Sequence, residues 1–207
     1  MQKRWKTHLT GYLFIAPNIV GFLAFTIFPI LFSLVISFTD WDYTQGFESI
    51  SFTGIANYLA IWQDQWFTDS LRNTLVFAFT VTPLTIMIAL VLSVLIDRYA
   101  YAKKPMRLMM FLPYVSNVVA ISVVWVMMYT PFGPFTQLVK SLGVENPPYW
   151  LGDYDWALPA VILMTVWAGI GYAVMIYTAA IQGLPAELYE AADIDGTSEI
   201  KKFLHIT

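Results

Sequence analysis

TLVFAFTVTPLTIMIALVLSVLI, residues 74–96, contains no Asp, Glu, Lys or Arg. A helix needs about 20 predominantly apolar residues to cross the hydrocarbon core of a bilayer. Inside lipid each backbone N–H and C=O must be satisfied within its own segment, so a span of this kind is helical. A membrane β-barrel strand would alternate polar and apolar residues over about ten positions, and this run does not alternate. Three further stretches have the same character: 8–39, 108–139 and 156–186 are also free of charge. The sequence therefore predicts an all-α, polytopic integral membrane bundle with spans at about 13–38, 74–96, 108–129 and 157–181. Its composition, 58% hydrophobic and 12% charged, contrasts with the roughly 25% charged residues of a soluble domain.

The charges between the runs set an orientation, because Lys and Arg accumulate in cytoplasmic loops. Four spans place the N-terminus (Lys3, Arg4, Lys6), the 97–107 loop (Arg98, Lys103, Lys104, Arg107) and the C-terminal tail (Lys201, Lys202) on one side. Only Arg72 and Lys140 fall on the other, so the N-terminus is expected to be cytoplasmic. The first apolar run continues to Phe38 and ends in bulky residues, unlike the short core and small-residue cleavage site of a signal peptide. On the outer side, 40–72 holds a short amphipathic stretch near Ile55–Trp62. In the second outer segment, 130–155, Phe135, Leu138, Val139 and Leu142 recur at helical spacing. No composition shift marks a second domain, so 1–207 is expected to be a single unit.

Catalytic chemistry finds little support. The two histidines, His8 and His205, lie near opposite ends, and there is no cysteine. No G-x-x-x-x-G-K-[ST] loop is present to cradle a nucleotide's phosphates. No basic stripe suggests nucleic acid. The apolar runs hold no ionisable residue of the kind proton-coupled carriers place in the membrane.

The tail that follows the fourth run is amphipathic. Pro185 suits a first helical turn and Glu187 its positive end. Leu184, Leu188, Ala191 and Ala192 fall on one face, with Glu187, Glu190 and Asp193 on another. Gly196 can take the left-handed conformation that ends a helix, and Thr197 or Ser198 can cap the next. Two short helices joined by a glycine turn are expected over 185–205. Periodicity alone favours a surface-lying pair over a knob inserted into a partner's groove.

Glu190-Ala191-Ala192, three residues, Gly196, nine residues and Ile206 resemble the EAA loop of binding-protein-dependent ABC importer permeases. Tyr12-Leu13-Phe14-Ile15-Ala16-Pro17, Phe52-Thr53-Gly54-Ile55-Ala56-Asn57-Tyr58, Asn73-Thr74-Leu75 and Phe111-Leu112-Pro113-Tyr114 resemble further segments of the carbohydrate-uptake members, such as the maltose, lactose and glycerol-3-phosphate importers. The resemblance implies a non-enzymatic permease subunit of an ATP-driven importer in a bacterial or archaeal plasma membrane. It implies an ATPase dimer as partner, carrying ATP and Mg that this chain does not bind. A second, related permease and an extracytoplasmic solute-binding protein complete the implied assembly, and the solute is a sugar or similar compound. Family members have at least six spans, so two more are expected beyond Thr207.

The same resemblance makes 185–205 the coupling helix segment, with Leu188, Tyr189, Glu190, Ala191, Ala192, Asp195, Gly196 and Phe203 its contact residues and Glu190 the main polar contact. Within the spans, Asn117, Trp167, Gly169 and Tyr172 are candidates for the solute pathway, since aromatic faces stack on sugar rings and glycine admits a ligand. Helix packing fits Gly169 and Gly171 equally well and is favoured for Trp167 and Tyr172, while interhelical hydrogen bonding is the favoured role of Asn117. Pro29 and Pro83 lie mid-span, where a gating hinge and static curvature are both open and curvature is favoured. A membrane anchor with a docking tail and no transport role is the alternative function.

Overall fold

The structure is a computed structural model that describes residues 2–206, with side chains from residue 11 onward. The side chains of Lys3, Arg4, Trp5, Lys6 and His8, and the whole of Thr207, lie outside the described residues. The chain divides into two compact units, residues 1–71 and 72–207, each with its own internal packing.

In the first unit, α1 (Gln2–Phe22) and α2 (Phe28–Ile36) are joined without a break by a π-helical turn, Leu23–Ile27. Pro29 explains that turn. It has no N–H, and its ring crowds the carbonyl four residues earlier, so the ladder is displaced by one residue ahead of it. The Phe28 N–H accordingly donates to the carbonyl of Leu23, five residues back.

Beyond α2, β1 (Thr39–Asp40) and β2 (Ser51–Phe52) pair antiparallel, Thr39 opposite Phe52 and Asp40 opposite Ser51. The turn between them is organised by Asp42, whose carboxylate accepts from Thr44 N (2.9 Å), Thr44 Oγ1 (2.6 Å) and Gln45 Nε2 (3.0 Å). Trp41 stacks on Phe47 at 5.1 Å and donates from Nε1 to the Gly46 carbonyl. The short helix α3 (Ala56–Gln63) is tied back to α2. Asn57 Nδ2 donates to the carbonyls of Ser37 and Thr39, and the Tyr58 hydroxyl lies 2.6 Å from Ser37 Oγ. These bonds give the Phe52–Tyr58 segment its role: Asn57 covers backbone carbonyls freed where α2 ends, and Tyr58 holds the Ser37 hydroxyl beside them.

The second unit contains most of α4 (Gln65–Tyr99), then α5 (Lys103–Val115), α6 (Val118–Met128), α7 (Pro134–Ser141), α8 (Tyr154–Gln182), α9 (Ala186–Ile194) and α10 (Glu199–His205). Pro83 lies inside an uninterrupted α4. Ala89, Ile96 and Val174 are buried together, with Leu92, Met110, Ile170 and Tyr177 around them. Gly171 allows the closest approach: a Cβ there would stand 1.7 Å from the Met110 carbonyl oxygen of α5. The 130–155 segment closes on an aromatic cluster of Trp125, Tyr129 and Trp150 packed on Ala160, Phe135 and Met164. Two bonds satisfy the cluster's polar handles: Tyr129 OH to the Ala160 carbonyl (2.8 Å) and Trp150 Nε1 to Thr136 Oγ1 (3.0 Å).

Among the described residues, Gly11–Ile36, Gln65–Tyr99 and Tyr154–Gln182 are long and apolar enough to cross a membrane. The count reaches four if α5 and α6 together make one span. The predicted third span is thus not one straight helix, because α5 and α6 meet at 97°. Ser116 adopts an extended conformation and Asn117 caps α6, accepting from Val119 N at 2.8 Å. The apolar composition of 108–129 conceals this break, since both arms are as apolar as an unbroken span. Outward-facing apolar residues abound: Phe14 and Phe25 are 83% and 85% exposed. A contiguous apolar surface of that kind belongs against lipid or a partner.

Candidate functional site

The C-terminal hairpin begins where α8 ends. Gly183 closes α8, donating its N–H to the Ala180 and Ile181 carbonyls, and Pro185 takes the extended conformation that precedes α9. At the far end of α9, Thr197 N bonds to the Ala192 carbonyl (2.9 Å) and Gly196 N to that of Asp193 (3.1 Å). Gly196 has φ +66°. These are the two bonds of a Schellman motif with glycine in its left-handed position. Ser198 then precedes α10, although its side chain makes no capping bond.

Charged residues fasten the hairpin. Lys202, 5% exposed, reaches Asp193 on α9 and Glu199 on α10, the latter at 2.8 Å. From the C-terminal end of α4, Arg98 pairs with Glu199 and lies over the Tyr189 ring, 5.3 Å from its centroid. Asp97, its neighbour, binds Arg107 of α5 at 2.9 Å and accepts through its carbonyl from Lys103 Nζ.

The eight residues singled out on this segment separate into two faces. Tyr189 and Phe203 turn toward the chain itself: Tyr189 against Arg98, Phe203 beside Val91, Val94 and Leu95 of α4. Leu188, Ala191 and Asp195 instead line an open concavity of about 380 Å³, shared with Thr197, Lys201 and His205, and Ala192 forms its buried floor. Glu190 is exposed, and Gly196 forms the turn. The expected Leu184–Leu188–Ala191–Ala192 stripe is therefore divided. Leu188 and Ala191 are exposed, because Tyr189 with its cation–π contact, rather than leucine, anchors α9.

The pathway candidates have four different surroundings. Asn117 caps α6 at the 97° break. Tyr172 stacks on Tyr114 of α5, centroids 4.6 Å apart and planes at 17°. Trp167 meets Trp125 edge-on at 5.5 Å. Gly169 faces Thr85 of α4, where a Cβ would make an ordinary 3.4 Å contact. Gly171, rather than Gly169, is thus the close-packing glycine.

Sequence reasoning missed Asp97, Arg98, Arg107 and Lys202, which it treated only as orientation charges or not at all. One signal was available: Glu199 and Lys202 are three apart on a helix, a spacing that brings opposite charges together.

Residues 52–207 match the family "Binding-protein-dependent transport system inner membrane component". The chain belongs to this family. It is a family of ABC transporter permease subunits, and the chain is accordingly a multi-pass protein of the inner membrane. Among relatives, the lactose transport system permease protein LacF of Rhizobium radiobacter is 33% identical, with 96% of this chain and 66% of LacF covered. The probable ABC transporter permease protein YurN of Bacillus subtilis is 34% identical over 95% of this chain and 68% of its own. The diacetylchitobiose uptake system permease protein NgcF of Streptomyces coelicolor is 31% identical, covering 94% and 58%. The chain thus spans about two-thirds or less of the length of these family members. A bacterial ABC transporter involved in the import of the acidic polysaccharide alginate shares the fold: TM-score 0.78 at 23% identity, over 99% of this chain and 68% of that one.

Proposed function

We propose that the chain forms the larger part of a permease subunit in an ATP-driven importer of a sugar or oligosaccharide, with the 185–206 hairpin as its contact to a separate ATPase. One observation carries the reading. An EAA-type segment follows an apolar helix as a fastened helical hairpin whose Leu188, Ala191 and Asp195 side remains open. An apolar rim with one acidic and one basic residue, Asp195 and Lys201, suits insertion into a groove of a partner protein. ATP and Mg bind on that ATPase and not on this chain. A second, related permease completes the pathway, and a solute-binding protein delivers the solute from outside. The N-terminus and the hairpin face the cytoplasm, as the distribution of Lys and Arg favours.

The sugar class rests on the relatives, whose names include lactose and diacetylchitobiose transport. The α5–α6 break supports a pathway role for Asn117 and the Tyr114–Tyr172 stack. Irregular backbone at membrane depth persists only where protein covers it or where it lines a water-filled cavity. Trp167 and Gly169 extend the same stretch of α8.

The test is reconstitution. The complete permease would be combined in proteoliposomes with its partner permease, ATPase and binding protein, and challenged with labelled oligosaccharides. ATP-dependent uptake that requires this subunit is the expected result. An assembled, ATP-hydrolysing complex that accumulates none of the saccharides would overturn the sugar assignment. A permease that associates with no ATPase would return the membrane-anchor role.

A further inference from the structure

We propose that Arg98 is the positioning residue through which movement of the hairpin reaches the membrane helices, and that Asp97 beside it carries that movement on to α5. The inference rests on the ATPase-contact role given to the hairpin above. Coupling between sites needs packed or ion-paired elements that move as a unit. Arg98 joins α4 to both hairpin helices: it pairs with Glu199 on α10 and covers the Tyr189 ring on α9. Lys202 makes the hairpin one body by bridging Asp193 and Glu199, so a load on either helix reaches Arg98. On the other side of the joint, the Asp97 carboxylate holds Arg107 and its carbonyl receives Lys103, both from α5. Two consecutive residues therefore link three elements, and α5 leads directly to the 97° break and the Tyr114–Tyr172 stack.

The planar guanidinium matters here. It presents several donors in a fixed fork and a face for an aromatic ring, so it can bind carboxylate and ring together. A lysine supplies the charge but lacks that shape. The joint stands at the end of α4, where the Arg98 side chain is 22% exposed and its partner Glu199 55%, so solvent screens the pair in part.

The experiment uses the complete permease in the reconstituted transporter, with uptake and ATP hydrolysis measured separately. Arg98→Gln is expected to leave the ATPase bound and hydrolysing while uptake per ATP falls about fivefold or more, the lower end of typical coupling effects. Arg98→Lys is expected to recover only part of the loss. Exchanging the pair, Arg98→Glu with Glu199→Arg, should transport better than Arg98→Glu alone. A role confined to stability would lower the amount of assembled complex but leave uptake per ATP in that complex unchanged. Unchanged uptake per ATP in Arg98→Gln would thus overturn the proposal, as would an exchange no better than the single variant. Should Arg98→Gln fail to fold, Glu199→Gln decides, since it removes the same pair from its half-exposed partner. Uptake per ATP must fall in that variant too, and an unchanged value would overturn the proposal. A wild-type permease that binds no ATPase would refute the underlying reading instead.

Discussion

Gly171→Ala is the smallest change that should disturb the junction of α5 and α8. A Cβ at this position would stand 1.7 Å from the Met110 carbonyl oxygen, 2.4 Å from its carbon and 2.8 Å from Phe111 Cα. All three are backbone atoms, so no side chain can swing aside. To bring the first contact to about 3.0 Å, α5 has to retreat by more than an ångström. Overpacking of a close-packed interface costs about 1–3 kcal/mol. The rigid neighbour places this case in the upper part of that range, about 2–3 kcal/mol. Retreat of α5 also draws Tyr114 away from Tyr172, now at 4.6 Å. Gly169→Ala is the matched control two residues earlier, where the added methyl meets the Thr85 side chain, Cγ2 at 3.4 Å and Oγ1 at 3.9 Å; its effect should stay within about 0.5 kcal/mol. The assay is thermal unfolding of the complete permease in detergent, all three forms side by side. Gly171→Ala should melt clearly below wild type and Gly169→Ala close to it. If Gly171→Ala melts at or above Gly169→Ala, the close packing of α5 on α8 at this point is wrong.

Other substitutions separate the remaining contacts. Trp150→Ala opens the aromatic cluster around Tyr129 and Phe135 and should cost about 3–5 kcal/mol. Trp150→Phe keeps a ring in the cluster but loses the bond to Thr136 Oγ1, worth about 1 kcal/mol, and should cost less than Trp150→Ala; the two melting temperatures report the order. Gly196→Ala meets no atom within 4 Å but must hold φ +66°, a strain of about 1–2 kcal/mol. Gly196→Asn should therefore retain more ATPase than Gly196→Ala in co-purification. The Asp42 carboxyl is held below its ordinary value of 3.8, first by the Thr44 hydroxyl, then by the Thr44 amide and Gln45. Because the folded value is the lower one, the turn's stabilisation is complete above the ordinary value and is lost as pH falls through the folded value. Carbon-detected NMR titration should place the Asp42 midpoint below 3.8, and a midpoint at or above it would contradict these bonds.

The spans were legible because lipid imposes a composition on a whole segment, and the charge-free runs announce it. The glycine turn at Gly196 was equally plain. The bend at Ser116–Asn117 was not, since it depends on one extended residue and one capping side chain within an apolar context. Pro113 followed by Ser116 and Asn117 was the available cue. Pro29 and Pro83 show why proline alone is a weak guide: one is accommodated by a π-helical turn, the other sits inside an uninterrupted α4. Which of two nearby glycines meets another backbone depends on helix rotation, and Gly171 and Gly169 differ in nothing local. The Arg98–Glu199 pair joins residues 101 positions apart, beyond any periodicity.

The central claim is that the hairpin's open side seats in an ATPase. The chain's lack of cysteine makes a single Ala191→Cys in the complete permease a clean probe, paired with cysteines introduced singly across the ATPase surface. Oxidative crosslinking should be efficient at one cleft of the ATPase and should change in yield when ATP binds. Absence of any crosslink from Ala191→Cys, and from companion cysteines at Leu188 and Asp195, in a correctly inserted and assembled transporter would contradict the claim.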